Sequence, residues 1–343
     1  MTLLKDKHPQ KDLFIPDIFD NIGASFKDDM ASMEHPIFTL SKKTDMRFLE
    51  YKNGDLTVSI IPSGLGLPTI FDKDVLLYCM SLMMAEINVG RIPPKTLRIS
   101  CRDFLVSTNR RTDGDDYIRL KQALDRLTGV LIKTNIKTNK REQTSAFGIL
   151  ESYDIIESSK VKNRMVRLEI TVSDWFYNSV IGKEVLTISR DYFLLGKPIE
   201  RRLYEIARKH CGSSPQWKIG LDKLMQKTGS SDTLRKFRLR LKEIAQDNHL
   251  PDYSFSLDEH DQVTFSQKRQ KPQEESFLPF LDRSILGKIK FDTVFKAKEI
   301  ARKAGLDFEE IIKQWGEFME KNGTPDNINA AMIGFMKKKA KAL

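Results

Sequence analysis

The feature that most constrains this chain is a helical register that occurs twice. Tyr117, Leu120, Leu124 and Leu127 fall at helical spacing, and a shift of 117 residues lays them on Leu234, Phe237, Leu241 and Ile244. Any two amphipathic helices can be slid into coincidence, so the weight lies in what surrounds them. Before the first come a strand-like alternation around Leu49–Ile61, with Leu56, Val58 and Ile60, and then a helical run with Val75, Leu76, Cys79, Met80, Met83 and Ile87 on one stripe. Asp72 or Asp74 can cap its start, and Gly90 with Pro93-Pro94 ends it. A short strand at Leu97–Ile99 follows. Ser100 then opens a second helix, with Asp103 three residues on. The third helix runs from about Asp113 to Leu127, and strands follow over 129–137, 144–156 and 166–172.

The order recurs downstream. Ile199–Cys211 reads as a helix, Leu221–Lys227 as a short second helix, and Thr228-Gly229-Ser230 as its turn. Ser231–Asp247 reads as a long third helix, with a hairpin over 253–257 and 263–266. Three helices and a β-hairpin, twice, is the order of a winged helix, a helix-turn-helix variant. The expected class is α+β, with two tandem winged-helix domains and a C-terminal helical extension. The boundaries read as an N-terminal arm over 1–44, a first domain over 45–184 and a second over 185–267. A polar linker over 268–284 leads to the helical extension over 285–343. A chain of 343 residues accommodates this, at about 100–200 residues per domain.

Net charge is +10, which favours a polyanionic partner. No apolar run approaches the roughly 20 residues of a spanning helix, and the N-terminus has no signal-peptide core. A cytoplasmic protein without a membrane partner is expected. Cys79, Cys101 and Cys211 are too scattered for a metal site and read as reduced thiols.

Double-stranded DNA is the expected partner, and the second third helix is where the charge concentrates. With Phe237 inward, Arg235, Arg238 and Lys242 share the opposite face, flanked by Lys236 and Arg240. Ser230 and Ser231 stand where the free N–H groups of a helix start would face a phosphate. No acid lies four residues from Arg235 or Arg238 to settle them on the surface. The face is either a solvated basic surface or one that presents arginine to guanine edges. In the first repeat the equivalent positions are Ile118, Lys121 and Asp125, a less basic set, with Arg119, Gln122 and Arg126 to one side. Arg110, Arg111, Lys140 and Arg141 lie in turns, as do Lys160, Lys162 and Arg164. Basic turns can grip phosphate or enter a minor groove, and they are equally ordinary solvated loops. This contrast assigns base readout to the second domain, and backbone contacts with self-association to the first.

No catalytic site, metal site or cofactor is expected. Gly64-Leu65-Gly66-Leu67-Pro68 lacks the lysine of a phosphate-binding loop. The five histidines contain no His-x-His pair, and Asp113-Gly114-Asp115-Asp116 suits a helix start better than a cation.

The stretch from Lys27 to Pro36, followed by Phe38-Thr39-Leu40-Ser41, resembles the opening signature of the replication initiator protein A family. Glu200 to Gly212 resembles its second signature, Leu224–Gly229 with Phe237-Arg238 is similar to a further motif, and the tail from Trp315 to Phe335 is similar to an extension of many members. The resemblance implies a plasmid replication initiator that binds origin repeats as a monomer. It also implies a dimer, joined through the first domain, that binds an operator inverted repeat and represses its own gene. Host helicase and the chromosomal initiator would be recruited. Arg201 and Arg202 in the second signature either touch phosphate or brace the domain. Two other readings share these features: a winged-helix transcriptional repressor without initiator activity, and a partition or scaffold protein assembled through its tail.

Overall fold

A computed structural model describes residues 3–7, 26–53, 56–88, 91–135, 145–157, 165–212 and 214–268, together with 308–341 and a few positions between 293 and 306. The chain is a mixed α and β protein, in two compact units, residues 1–269 and 270–343.

The first unit begins in β1 (Lys27–Asp29), which runs straight into α1 (Met30–Glu34). The Asp29 side chain caps α1 by accepting from the Ser32 N–H at 2.8 Å. This part of the expected arm is interior: Asp28, Met33, Ile37 and Phe38 are all buried. β2 (Leu49–Asn53), β3 (Leu56–Ile61), β5 (Leu131–Thr134) and β6 (Ser145–Phe147) form one antiparallel sheet in that order. The expected strands over 49–61 and 144–156 each prove to be two. Gly148 makes the second break, because a Cβ there would lie 2.9 Å from the Leu150 carbonyl and 3.1 Å from that of Thr128.

α2 (Asp74–Asn88) is buried over most of its length, which is why it reads as apolar nearly all round. After it come β4 (Thr96–Ser100), α3 (Cys101–Ser107) and α4 (Gly114–Gly129). Ser100 caps α3 and Asp113 caps α4, each through its side chain. β7 (Leu150–Glu157) and β8 (Met165–Val172) complete a sheet of order β4–β8–β7. α5 (Asp174–Ile181) and β9 (Val185–Thr187), neither expected, follow, and β9 pairs with β1.

The second series is α6 (Pro198–His210), β10 (Gln216–Gly220), α7 (Leu221–Thr228), α8 (Leu234–Asp247), β11 (Tyr253–Leu257) and β12 (Gln262–Gln267). Its sheet has the order β10–β12–β11, so the last strand again lies between the other two. Helix, strand, helix, helix and two strands therefore occur twice with one topology. Leu120, Leu124 and Leu127 of α4 and Phe237, Leu241 and Ile244 of α8 are fully buried. Both sets belong to one continuous apolar core.

In the second unit α9 (Phe308–Asn322) and α10 (Ile328–Ala340) pack through Ile312, Trp315, Met319, Met332 and Met336. Among the described residues no helix is long and apolar enough to cross a membrane. Cys79, Cys101 and Cys211 are buried and free. No cluster among the described residues has the ligands to hold a metal ion.

Candidate nucleic-acid interface

α8 starts three residues later than its capping residues suggested. Ser230, Ser231, Asp232 and Thr233 are all good N-caps, and Thr233 takes the role, accepting from the Lys236 N–H. Asp232 is drawn away by Arg240, whose Nη1 lies 2.6 Å from Oδ2. Ser230 and Ser231 therefore sit in the turn and not at the helix start, which corrects the phosphate position assigned to them. The Ser230 hydroxyl is engaged with Asp232. The backbone N–H groups at the start of α8 belong to Leu234 and the residues after it.

The turn has a fixed shape. Gly229 ends α7 with φ +68°, a left-handed conformation that favours glycine. A Cβ there would lie 2.7 Å from the Pro36 Cβ and 3.2 Å from the Tyr51 hydroxyl, so the turn is packed on the first half of the unit.

Arg235, Lys236, Leu239, Arg240, Lys242 and Glu243 are exposed on the outer side of α8. Arg235, Lys236 and Lys242 form no ion pair among the described residues. Arg238 differs from its expectation as an uncompensated charge. Its Nε donates to Asp261 Oδ1 at 2.7 Å and its Nη2 to Oδ2, a two-pronged pair with side chains about one third exposed. Asp261 lies in the β11–β12 turn at φ +60°, and its carbonyl accepts from Leu221 N–H at the start of α7. One residue thus joins hairpin, α7 and α8. The Arg238 guanidinium holds the Asp261 carboxyl below the usual carboxylate range. The partner was missed because it lies 23 residues away, beyond any helical spacing.

The first-repeat candidates separate into two groups. Arg110 and Arg126 are structural: Arg110 reaches Asp74 at 2.9 Å, and Arg126 grips Asp72 at 2.7 and 2.9 Å. Arg111 and Arg119 are more exposed and lean on Asp113 and Asp116. Lys121 and Gln122 are exposed on α4. Lys140 and Arg141, with Lys160, Lys162 and Arg164, lie outside the described residues.

Arg201 and Arg202 are buried and act as braces. Arg201 pairs with Asp74 and donates to the Leu195 carbonyl at 3.0 Å, with its guanidinium 4.5 Å from the Phe71 ring centre. Arg202 donates to the carbonyls of Ser32 and Lys227 at 2.8 and 2.9 Å, and to Glu205 at 3.0 Å. Lys73, itself fully buried, lies 2.7 Å from Asp28 and 3.1 Å from Glu205. Burial raises the Glu205 carboxyl, but Lys73 and Arg202 outweigh it and the net direction is down. Asp28 goes the other way: burial, with Glu205 and Asp29 nearby, holds it up to about 8 against the pull of Lys73. At the rim Glu34 takes His210 at 2.8 Å and also Lys227. The segments Lys27–Pro36 and Glu200–Gly212 are thus stitched to one another through buried charge.

The sequence model of a family described as replication initiator protein A matches residues 27–255. A "Putative replication protein" of Wigglesworthia glossinidia brevipalpis is 40% identical over 270 residues, covering 78% of this chain and 97% of that protein. A crystal structure of domains 2 and 3 of RctB superposes with a TM-score of 0.47 at 14% identity, over 73% of this chain and 99% of that one. A second structure of RctB domains 2–3 gives 0.43 at 14% identity, over 70% and 96%. From the family match and the close relative together, this chain belongs to the replication initiator protein A family.

Proposed function

We propose that the chain is a sequence-specific, double-stranded DNA-binding initiator of plasmid-type replication that performs no covalent chemistry. The observation that carries this reading is the outer face of α8. It bears Arg235, Lys236, Arg240 and Lys242 in the open, with Arg238 held by the adjoining hairpin. It is the third helix of a topology that occurs twice. In this reading each repeat is a winged-helix domain, 45–184 and 185–267. α8 is the recognition helix and the β11–β12 hairpin its wing. Arginine on such a helix pairs with guanine O6 and N7, while the flanking lysines meet phosphates. The first domain contributes backbone contacts through Arg119, Lys121 and Gln122, and self-association. A monomer takes origin repeats; a dimer takes an operator inverted repeat and represses the gene. Host helicase and the chromosomal initiator join the assembly in the cytoplasm.

The test is footprinting of the DNA flanking the gene at one stated salt concentration, followed by titrations with Arg238→Glu and Lys121→Glu. Arg238→Glu is expected to abolish sequence-specific binding, whereas Lys121→Glu weakens all sequences alike and lowers the salt slope by about 1. The opposite ranking refutes the division of labour between the repeats. Binding that is indifferent to both refutes the interface.

A further inference from the structure

The α4 face that carries Arg119, Gln122 and Arg126 borders other segments of the same unit, with Arg119 and Gln122 exposed. It forms one wall of a cleft of about 740 Å³. Its lining also includes Lys42, Lys43 and Thr44, and Lys7, whose backbone N–H donates to the buried Asn109 side chain at 2.9 Å. A recess of this size lies within the usual range for small-molecule sites, about 300–1,000 Å³.

The charge in the cleft is not balanced. Seven lining cations face three carboxylates, an excess of four positive charges. The carboxylates are at the floor and each already has an arginine: Asp72 has Arg126, Asp74 has Arg110 and Arg201, and Asp116 has Arg119. The excess is therefore at the mouth. Lys7, Lys42 and Lys43 are exposed there and form no ion pair among the described residues. The nearest partner of the Lys42 ammonium is the Gly196 carbonyl at 3.3 Å. Leu65, 45% exposed, and the half-buried Phe71, whose ring also meets the Arg201 guanidinium, give one flank an apolar surface. Unmatched lysines at the mouth beside an apolar flank suit a ligand with several negative charges at one end and a flat, weakly polar group at the other.

We propose that this cleft is a small-molecule site for a nucleoside polyphosphate. Its phosphates lie against Lys7, Lys42, Lys43 and Arg119, and its base lies toward Leu65 and Phe71. The site shares Arg119 and Gln122 with the first repeat's proposed backbone contacts and takes Phe193 and Arg201 from the second, but it stands apart from the α8 face, so nucleotide binding and base readout can fail independently. The experiment is calorimetric titration of the full chain with ATP, with GTP and with inorganic tripolyphosphate, repeated on Lys42→Ala/Lys43→Ala. Saturable one-to-one binding is expected, weaker for tripolyphosphate than for the better nucleotide. The double variant should lose at least about tenfold in affinity, since each charged phosphate contact is strong. Its urea midpoint should be unchanged, because both lysines are exposed. No saturable binding of any of the three up to millimolar concentration overturns the proposal. So does binding that the double variant leaves intact, or a double variant impaired only toward duplex DNA, which would assign these lysines to DNA backbone contact.

Discussion

Lys73→Met tests whether buried charge holds the two halves of the first unit together. The Lys73 side chain is 0% exposed, between Asp28 at 2.7 Å and Glu205 at 3.1 Å. Methionine keeps most of the apolar stem and removes the cation. Breaking one partner out of a buried pair costs about 3–5 kcal/mol, because the remaining charge stays out of water. Two features pull the cost toward the lower end. Glu205 keeps Arg202 at 3.0 Å and the Tyr192 hydroxyl at 2.7 Å. Asp28, held up to about 8, is already protonated at pH 7 and strands no second carboxylate when the cation leaves. The expected loss at pH 7 is about 3 kcal/mol, read as a fall in the urea midpoint of about 1–2 M by circular dichroism. The pH dependence has a definite sign. Below about 8 the wild type and the variant both hold Asp28 protonated, so their difference is flat. Above it the wild type can ionise Asp28 beside Lys73 and the variant cannot, so the deficit grows as pH passes 8. A loss under about 1 kcal/mol at pH 7, or a deficit that shrinks above pH 8, would refute this account of the network.

Two further perturbations separate fold from recognition. Asp261→Asn releases Arg238 from its two-pronged pair. A pair this exposed is worth about 0–1 kcal/mol, so the unfolding midpoint should barely move. Loss of the negative charge should strengthen binding to random DNA while the ratio of specific to random affinity falls; an unchanged ratio in competition titrations counts against a positioning role for the hairpin. Gly229→Ala places a Cβ at φ +68° and 2.7 Å from the Pro36 Cβ. The strain and the displaced proline together should cost about 1–3 kcal/mol by urea unfolding, and a neutral result would mean that the turn is not clamped by Pro36.

Helical periodicity located α4 and α8 because their cores are local patterns: Leu120, Leu124, Leu127 and Phe237, Leu241, Ile244 each line up within one segment. The caps Ser100 and Asp113 were legible for the same reason. Periodicity failed where the deciding partner is distant. At the start of α8 Thr233 caps while Asp232 pairs with Arg240, a choice that a run of four capping residues does not reveal. The compensation of Arg238 comes from a hairpin turn, and that of Lys73 from segments 45 and 132 residues away. α5 and β9 escaped notice because they are short and half-buried, with no extended apolar alternation.

The same distinction bears on what the family signatures are for. Lys27–Pro36 and Glu200–Gly212 carried the resemblance, yet their charged residues Asp28, Glu200, Arg201, Arg202 and Glu205 are buried. Arg202, 2% exposed, gives Nε, Nη1 and Nη2 all to carbonyls and a carboxylate and has no donor left for a phosphate. The signatures therefore act through geometry. Arg202 holds the Lys227 carbonyl at the end of α7, two residues before Gly229, while its other bonds reach Ser32 and Glu34. The position of α8 relative to the first half of the unit is in this way tied to buried arginine. It follows that Arg202→Lys should disturb DNA binding by misplacing α8 even though no cation is lost. A lysine cannot reproduce the fork that meets Ser32, Glu34, Lys227 and Glu205 at once.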